Sequence, residues 1–139
     1  MTVVLAACGA KQPFSAGEGD VSGVWTATLP GTVFHGEDGT GQSTSLTLTM
    51  EQDGSRVAGS ESFTDTAGRS GSSTVTGTFI GTTLAYARED FDPACGGREV
   101  RSVATVTSVE SGSTIMVGFG ADPAGSCPML SDSVEYRKR

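Results

Sequence analysis

A single histidine and a single tryptophan stand in a chain of 139 residues, and only 6% of it is aromatic. With one histidine, any Ser–His–Asp arrangement has to use His35, in the Gly-rich stretch Phe34-His35-Gly36-Glu37-Asp38. One nitrogen ligand in such a loop also makes a poor zinc site. The chain has no Gly-x-Ser-x-Gly elbow, no His-Glu-x-x-His and no phosphate-binding loop. Strand parity does not converge paired carboxylates on an apolar pocket that would raise one of their pKa values. The expectation is a protein that is not an enzyme and carries no cofactor or metal. Glu89, Asp90 and Asp92 match no EF-hand spacing and read as a solvated acidic rim.

Other shortages exclude other classes. No window sustains a 3.6-residue apolar period, so helical folds are excluded. No apolar run is long enough to span a membrane as a helix. Nine basic residues face sixteen acidic ones, a net charge of −7. Phosphate backbones repel such a surface, so nucleic acid is not an expected partner. The basic end Arg137-Lys138-Arg139 is too short to reverse that.

What is present is glycine, twenty of them, among threonine- and serine-rich alternating runs. Gly23-Val24-Trp25-Thr26-Ala27-Thr28-Leu29 sets the pattern, with Trp25, Ala27 and Leu29 on one parity and Val24, Thr26 and Thr28 on the other. Eight such runs occur in order: 23–29, 43–53, 56–65, 72–80, 82–90, 99–110, 114–121 and 132–137. Three connections are tight: Gln52-Asp53-Gly54-Ser55, Ile80-Gly81-Thr82 and Ser111-Gly112-Ser113. Asp-Gly is a strong hairpin signal because it supplies the positive φ angles of a type I′ turn. Four connections are longer: Pro30–Gln42, Thr66–Gly71, Phe91–Arg98 and Asp122–Ser131. In an up-and-down meander the two classes fall at opposite ends. The expected fold is all-β, an eight-stranded antiparallel meander closed into a barrel, with one end of tight turns and one open end.

Gly23-Val24-Trp25, together with strands carrying Val57-Ala58-Gly59 and Val75-Thr76-Gly77, resembles the first strand and build of the calycin group, the lipocalins and avidins. That resemblance implies a cup with Trp25 near its closed end and a binding site at its mouth. Avidins hold biotin between several tryptophans, so a chain with one is not expected to bind it. Small envelope barrels that inhibit proteases or lysozyme are similar in size.

Leu5-Ala6-Ala7-Cys8 resembles a bacterial lipobox, although the apolar stretch before it is shorter than the ~7–15 residues of a signal peptide. It implies a truncated lipoprotein signal with Cys8 as the lipidated residue. Residues 1–22 are then signal remnant and flexible linker, and 23–139 the barrel domain. The expected location is the bacterial cell envelope, periplasmic or extracellular face, with the membrane reached only through a lipid anchor. Cys95 and Cys127, in two late loops on the same side of the meander, are expected to form a disulfide.

Expected inner-face residues include Trp25, Ala27, Leu29, Leu46, Leu48, Met50, Val57, Phe63, Val75, Phe79, Leu84, Tyr86, Ile115, Val117, Phe119, Val134 and Tyr136. The run at 99–110 is ambiguous, since Val100 and Val106 oppose Val103 and Val109. Glu61 and Arg88 share the inner parity and can serve as ligand anchors, as an internal ion pair, or as solvated residues of the rim. The cost of burying charge favours the rim. Phe34, Phe91 and Met129 lie in the long loops, either to meet a ligand or to fold inward as plugs. The expected ligand-binding set is Phe34, Glu61, Phe63, Tyr86, Arg88, Phe91, Phe119 and Met129. The expected partner is a small apolar or amphipathic ligand or, alternatively, an envelope protein held by the long loops. A structural envelope role is the third reading.

Overall fold

The computed structural model describes residues 19–34, 38–95, 99–107 and 134–139, and the backbone of 114–119. The described chain is all-β, a curled antiparallel sheet of consecutive strands. In order these are β1 (Gly23–Pro30), β2 (Ser43–Asp53), β3 (Arg56–Asp65), β4 (Ser70–Ile80), β5 (Thr83–Glu89), β6 (Glu99–Val106), β7 (Thr114–Phe119) and β8 (Val134–Lys138). Each pairs antiparallel with the next. β8 also meets β1 over two residue pairs, Trp25 with Lys138 and Thr26 with Arg137. The Arg139 N–H extends that contact, donating to the Val24 carbonyl at 2.8 Å.

Alternation places the side chains. Every residue of the expected inner set whose side chain is described is buried, from Trp25 through Tyr136. A residue pair out of phase by one would turn this whole set to solvent, so burial of one face fixes the register. β6 resolves in favour of Val100, Ser102, Ala104 and Val106 inward, which leaves Val103 58% exposed on the outer face.

Among the described residues the turn end carries two two-residue loops. Gly54-Ser55 joins β2 to β3 and Gly81-Thr82 joins β4 to β5, with φ of +63° at Gly54 and +62° at Gly81. Glycine adopts that backbone without a Cβ penalty. Here too lies Val21, read from sequence as part of the linker but fully buried. Its N–H donates to Gln52 Oε1 at 2.8 Å, and its carbonyl accepts the Trp25 indole N–H at 2.9 Å. Trp25 therefore sits at the turn end with its polar handle satisfied.

Gly59 and Gly77 serve close backbone approach. A Cβ at Gly59 would stand 1.8 Å from the Thr49 carbonyl oxygen, and one at Gly77 would stand 2.1 Å from that of Ala85. No side chain fits either place, and the strands coil past one another there.

At the loop end, the connection expected over Thr66–Gly71 is shorter, because Ser70 and Gly71 already pair in β4. The Asp65 carboxylate organises it, accepting the backbone N–H groups of Ala67 and Arg69 at 3.0 and 2.9 Å. The turn Ser111-Gly112-Ser113 and the loop Asp122–Ser131 lie outside the described residues.

Candidate functional site at the loop end

Three phenylalanines from separate parts of the chain meet at the loop end. Phe63, on the inner face of β3, stands between Phe34 of the β1–β2 loop and Phe91 of the β5–β6 loop. The ring centroids are 5.6 Å apart for Phe34–Phe63, edge to face, and 4.8 Å for Phe63–Phe91. Phe34 and Phe91 are partly buried against the core, so they fold inward. Such pairs add ~0.5–1.5 kcal/mol beyond the area they bury.

An arginine stacks on each outer ring. The Arg69 guanidinium carbon lies 3.9 Å from the Phe34 centroid, and that of Arg88 lies 3.9 Å from Phe91. Arg69 is half-exposed and pairs with Asp65 at 3.0 Å. It also reaches Thr32 Oγ1 and Gln42 Oε1, at 3.4 and 3.5 Å, and so ties the first loop to the β3–β4 turn. The hydrogen bonds that Asp65 receives, first from the Arg69 backbone, hold its carboxyl below the usual range.

Arg88 faces the other way. Its Nε donates to Glu61 Oε1 at 2.7 Å, with 7% and 0% of the two side chains exposed. Nη1 donates to the Glu89 carbonyl at 3.1 Å. The second Glu61 oxygen accepts a hydrogen bond from the Tyr136 hydroxyl. The rim position favoured for Glu61 and Arg88 on desolvation grounds is therefore incorrect. Mutual pairing and the Tyr136 hydroxyl offset the cost that isolated burial would carry.

Beneath this pair lie Tyr86 and Ser102, which face each other in the β5–β6 register. Tyr86 is 3% exposed and Ser102 is 1% exposed. The Tyr86 hydroxyl neighbours those of Ser102 and Tyr136, yet neither Tyr86 Oη nor Ser102 Oγ makes a hydrogen bond of acceptable geometry. Burial and the nearby Glu61 charge push both Tyr86 and Tyr136 well above the ordinary tyrosine value.

The acidic rim needs correction at one residue. Asp92 is buried rather than solvated, and its carboxylate accepts the Ala94 N–H at 2.9 Å to cap the turn Pro93–Cys95. Among the described residues no cluster of His, Cys, Asp and Glu suits a metal.

The structure thus brings together Phe34, Glu61, Phe63, Tyr86, Arg88 and Phe91 of the expected ligand-binding set. Phe119 is described by backbone alone, and Met129, His35, Cys8 and Cys127 lie outside the described residues. Arg69, Ser102 and the Glu61 bond of Tyr136 are additions to that set. The Arg69 signal was its place one turn after Asp65, in the connection that follows Phe63. On the outer face, away from this site, a groove of about 510 Å³ runs over the β1–β8 junction, lined by Thr26, Thr28, Ser45, Thr47, Arg137 and Arg139 among others. No protein-family model, curated protein or solved structure matches the chain.

Proposed function

We propose that this chain is an exported cell-envelope binding protein, lipid-anchored through Cys8, that takes a small amphipathic ligand at its loop end. In this reading the sheet is a closed eight-stranded barrel of calycin build, and the protein is not an enzyme. Closure is supported by the β1–β8 pairing at Trp25 and Thr26. The observation that carries the binding reading is the loop-end stack, Phe34–Phe63–Phe91 with Arg69 and Arg88 on its outer rings. Two of those rings come from loops, so an apolar chain can take their place against Phe63 without disturbing a strand.

A disulfide between Cys95 and Cys127 belongs to the same reading. What supports it is that Cys95 is buried at the end of the turn Pro93–Cys95, in the β5–β6 loop.

One observation favours the alternative, an envelope protein bound by the loops. Arg69 fastens the first loop to the β3–β4 turn through Asp65, Thr32 and Gln42, which makes part of the loop end a fixed surface rather than a door. Thermal shift with fatty alcohols, fatty acids, sterols and isoprenoids, run beside a pull-down of envelope proteins, separates the two. A ligand at one hundred times its Kd stabilises the native state by about 2.7 kcal/mol. A clear rise in melting temperature with any amphiphile supports the small-ligand reading. No rise, with a specific protein captured, transfers the function to the loops.

A further inference from the structure

We propose that the Tyr86–Ser102 hydroxyl pair is a receptor for one neutral oxygen, the hydroxyl of an amphipathic ligand or a bound water, and that it disfavours a carboxylate. The ligand half of this inference rests on the binding reading above.

The starting point is the two unpaired hydroxyls. Buried polar atoms in native proteins almost always have partners, and an orphan points to a water, an ion or a ligand group. Here two orphans occur together, on side chains more than nine-tenths buried, opposite one another on adjacent strands. Each hydroxyl has one O–H to donate, and a single oxygen with two lone pairs can accept both.

Charge selects what carries that oxygen. Arg88 follows Tyr86 by two residues on the inner face of β5, and its charge is already matched by Glu61 at 2.7 Å. A ligand carboxylate entering here would add a second anion beside a cation already paired. A ligand ammonium would meet the Arg88 guanidinium. An uncharged alcohol meets neither penalty, and its remaining proton is available to an acceptor. The order of layers from the loop end inward supports entry from that side. The phenylalanines come first, then Arg88 with Glu61, then the hydroxyl pair. An apolar tail among the rings with a hydroxyl at Tyr86 and Ser102 suits that order, and it reverses the simple expectation that Arg88 recruits fatty acids.

The test uses the full chain with decanol and decanoate as matched probes, titrated into the wild type, Tyr86→Phe and Ser102→Ala. Melting temperatures confirm that each variant is folded. A ligand-free crystal structure at a resolution that shows ordered water supplies a second readout. The expected result is that decanol binds at least tenfold more tightly than decanoate, and that either substitution removes most of that preference by weakening decanol more than decanoate. Decanoate binding as tightly as decanol or tighter, or a decanol affinity indifferent to both substitutions, overturns the inference and leaves the binding reading in place. If neither probe binds, the amphiphile reading falls instead. In that case a water bonded to both hydroxyls sustains the receptor in its water-holding form, and an empty or self-paired Tyr86–Ser102 overturns it.

Discussion

Arg88 and Glu61 form their 2.7 Å hydrogen bond across an intervening strand: Glu61 lies on β3 and Arg88 on β5, with β4 between them. The inward curl of the sheet shortens the distance between inner-face side chains two strands apart, and long side chains such as these two span it. Tyr136, on the last strand, joins them from the other side. The three residues therefore link the middle of the sheet to its end.

Removing one partner of this pair should be costly. Glu61→Leu strands a buried guanidinium and the Tyr136 hydroxyl, and a loss of about 3–5 kcal/mol is expected. Arg88→Met strands the carboxylate at a similar cost. The double substitution should cost clearly less than the sum of the two, because an apolar pair leaves no unpaired charge. Urea denaturation of the four proteins checks this. Additive losses would mean that the pair is not coupled.

The two tyrosines predict the behaviour at high pH. Both have folded pKa values raised by burial and by the Glu61 charge. In the unfolded chain they ionise near pH ~10. Below that pH both states hold the protons and the stability is fully present. As pH rises above it, the unfolded state releases protons that the folded state retains, so stability falls until the raised folded values are passed. Tyr86→Phe and Tyr136→Phe should each flatten this decline, measured as urea midpoints between pH 8 and 11. A decline unchanged in both variants would locate the effect elsewhere.

Much of this architecture was legible in the residues, for a simple reason. Period-2 alternation reports which face a side chain takes, and the hairpin glycines report where the chain reverses. Hence Trp25, Leu48, Phe79 and Tyr136 were placed correctly, as were both two-residue turns. Alternation does not report depth along a strand or which distant strand closes over a residue. Glu61 and Arg88 were accordingly favoured for the rim, since the partner that completes them, Tyr136, is 75 positions from Glu61. Ser102 was hidden because valines occupy both parities of its strand. Asp92 was taken for a solvated acid because its capping role depends on the local turn.

Gly59 and Gly77 should not tolerate alanine. Their added methyl groups would overlap main-chain oxygens of neighbouring strands, which cannot swing aside as a flexible side chain can. Overpacking of this kind costs about 1–3 kcal/mol and more where backbone must move. Gly54→Ala meets no neighbour within 4 Å and strains only its own φ, so it should cost less. Thermal melts of the three variants give the ranking, and a neutral Gly59→Ala would contradict the close approach.

For the cysteines, a bridge from Cys95 to Cys127 would close a loop of roughly 30 residues and contribute about 3–4 kcal/mol. The Cys95→Ser/Cys127→Ser variant should lose that amount, and denatured but unreduced protein should show neither residue as a free thiol. Thiol reagent labelling both positions without reductant would rule the bridge out.

The central claim is that binding belongs to the loop end. The most direct measurement is an amide NMR titration of the full chain with decanol below its solubility limit. Shifts are expected to concentrate at Phe34, Phe63, Arg69, Tyr86, Arg88, Phe91 and Ser102, with Val21, Trp25 and Gly54 at the turn end unmoved. Shifts centred on the turn end or on the outer groove at Thr28 and Arg137, or no shifts at all, would contradict it.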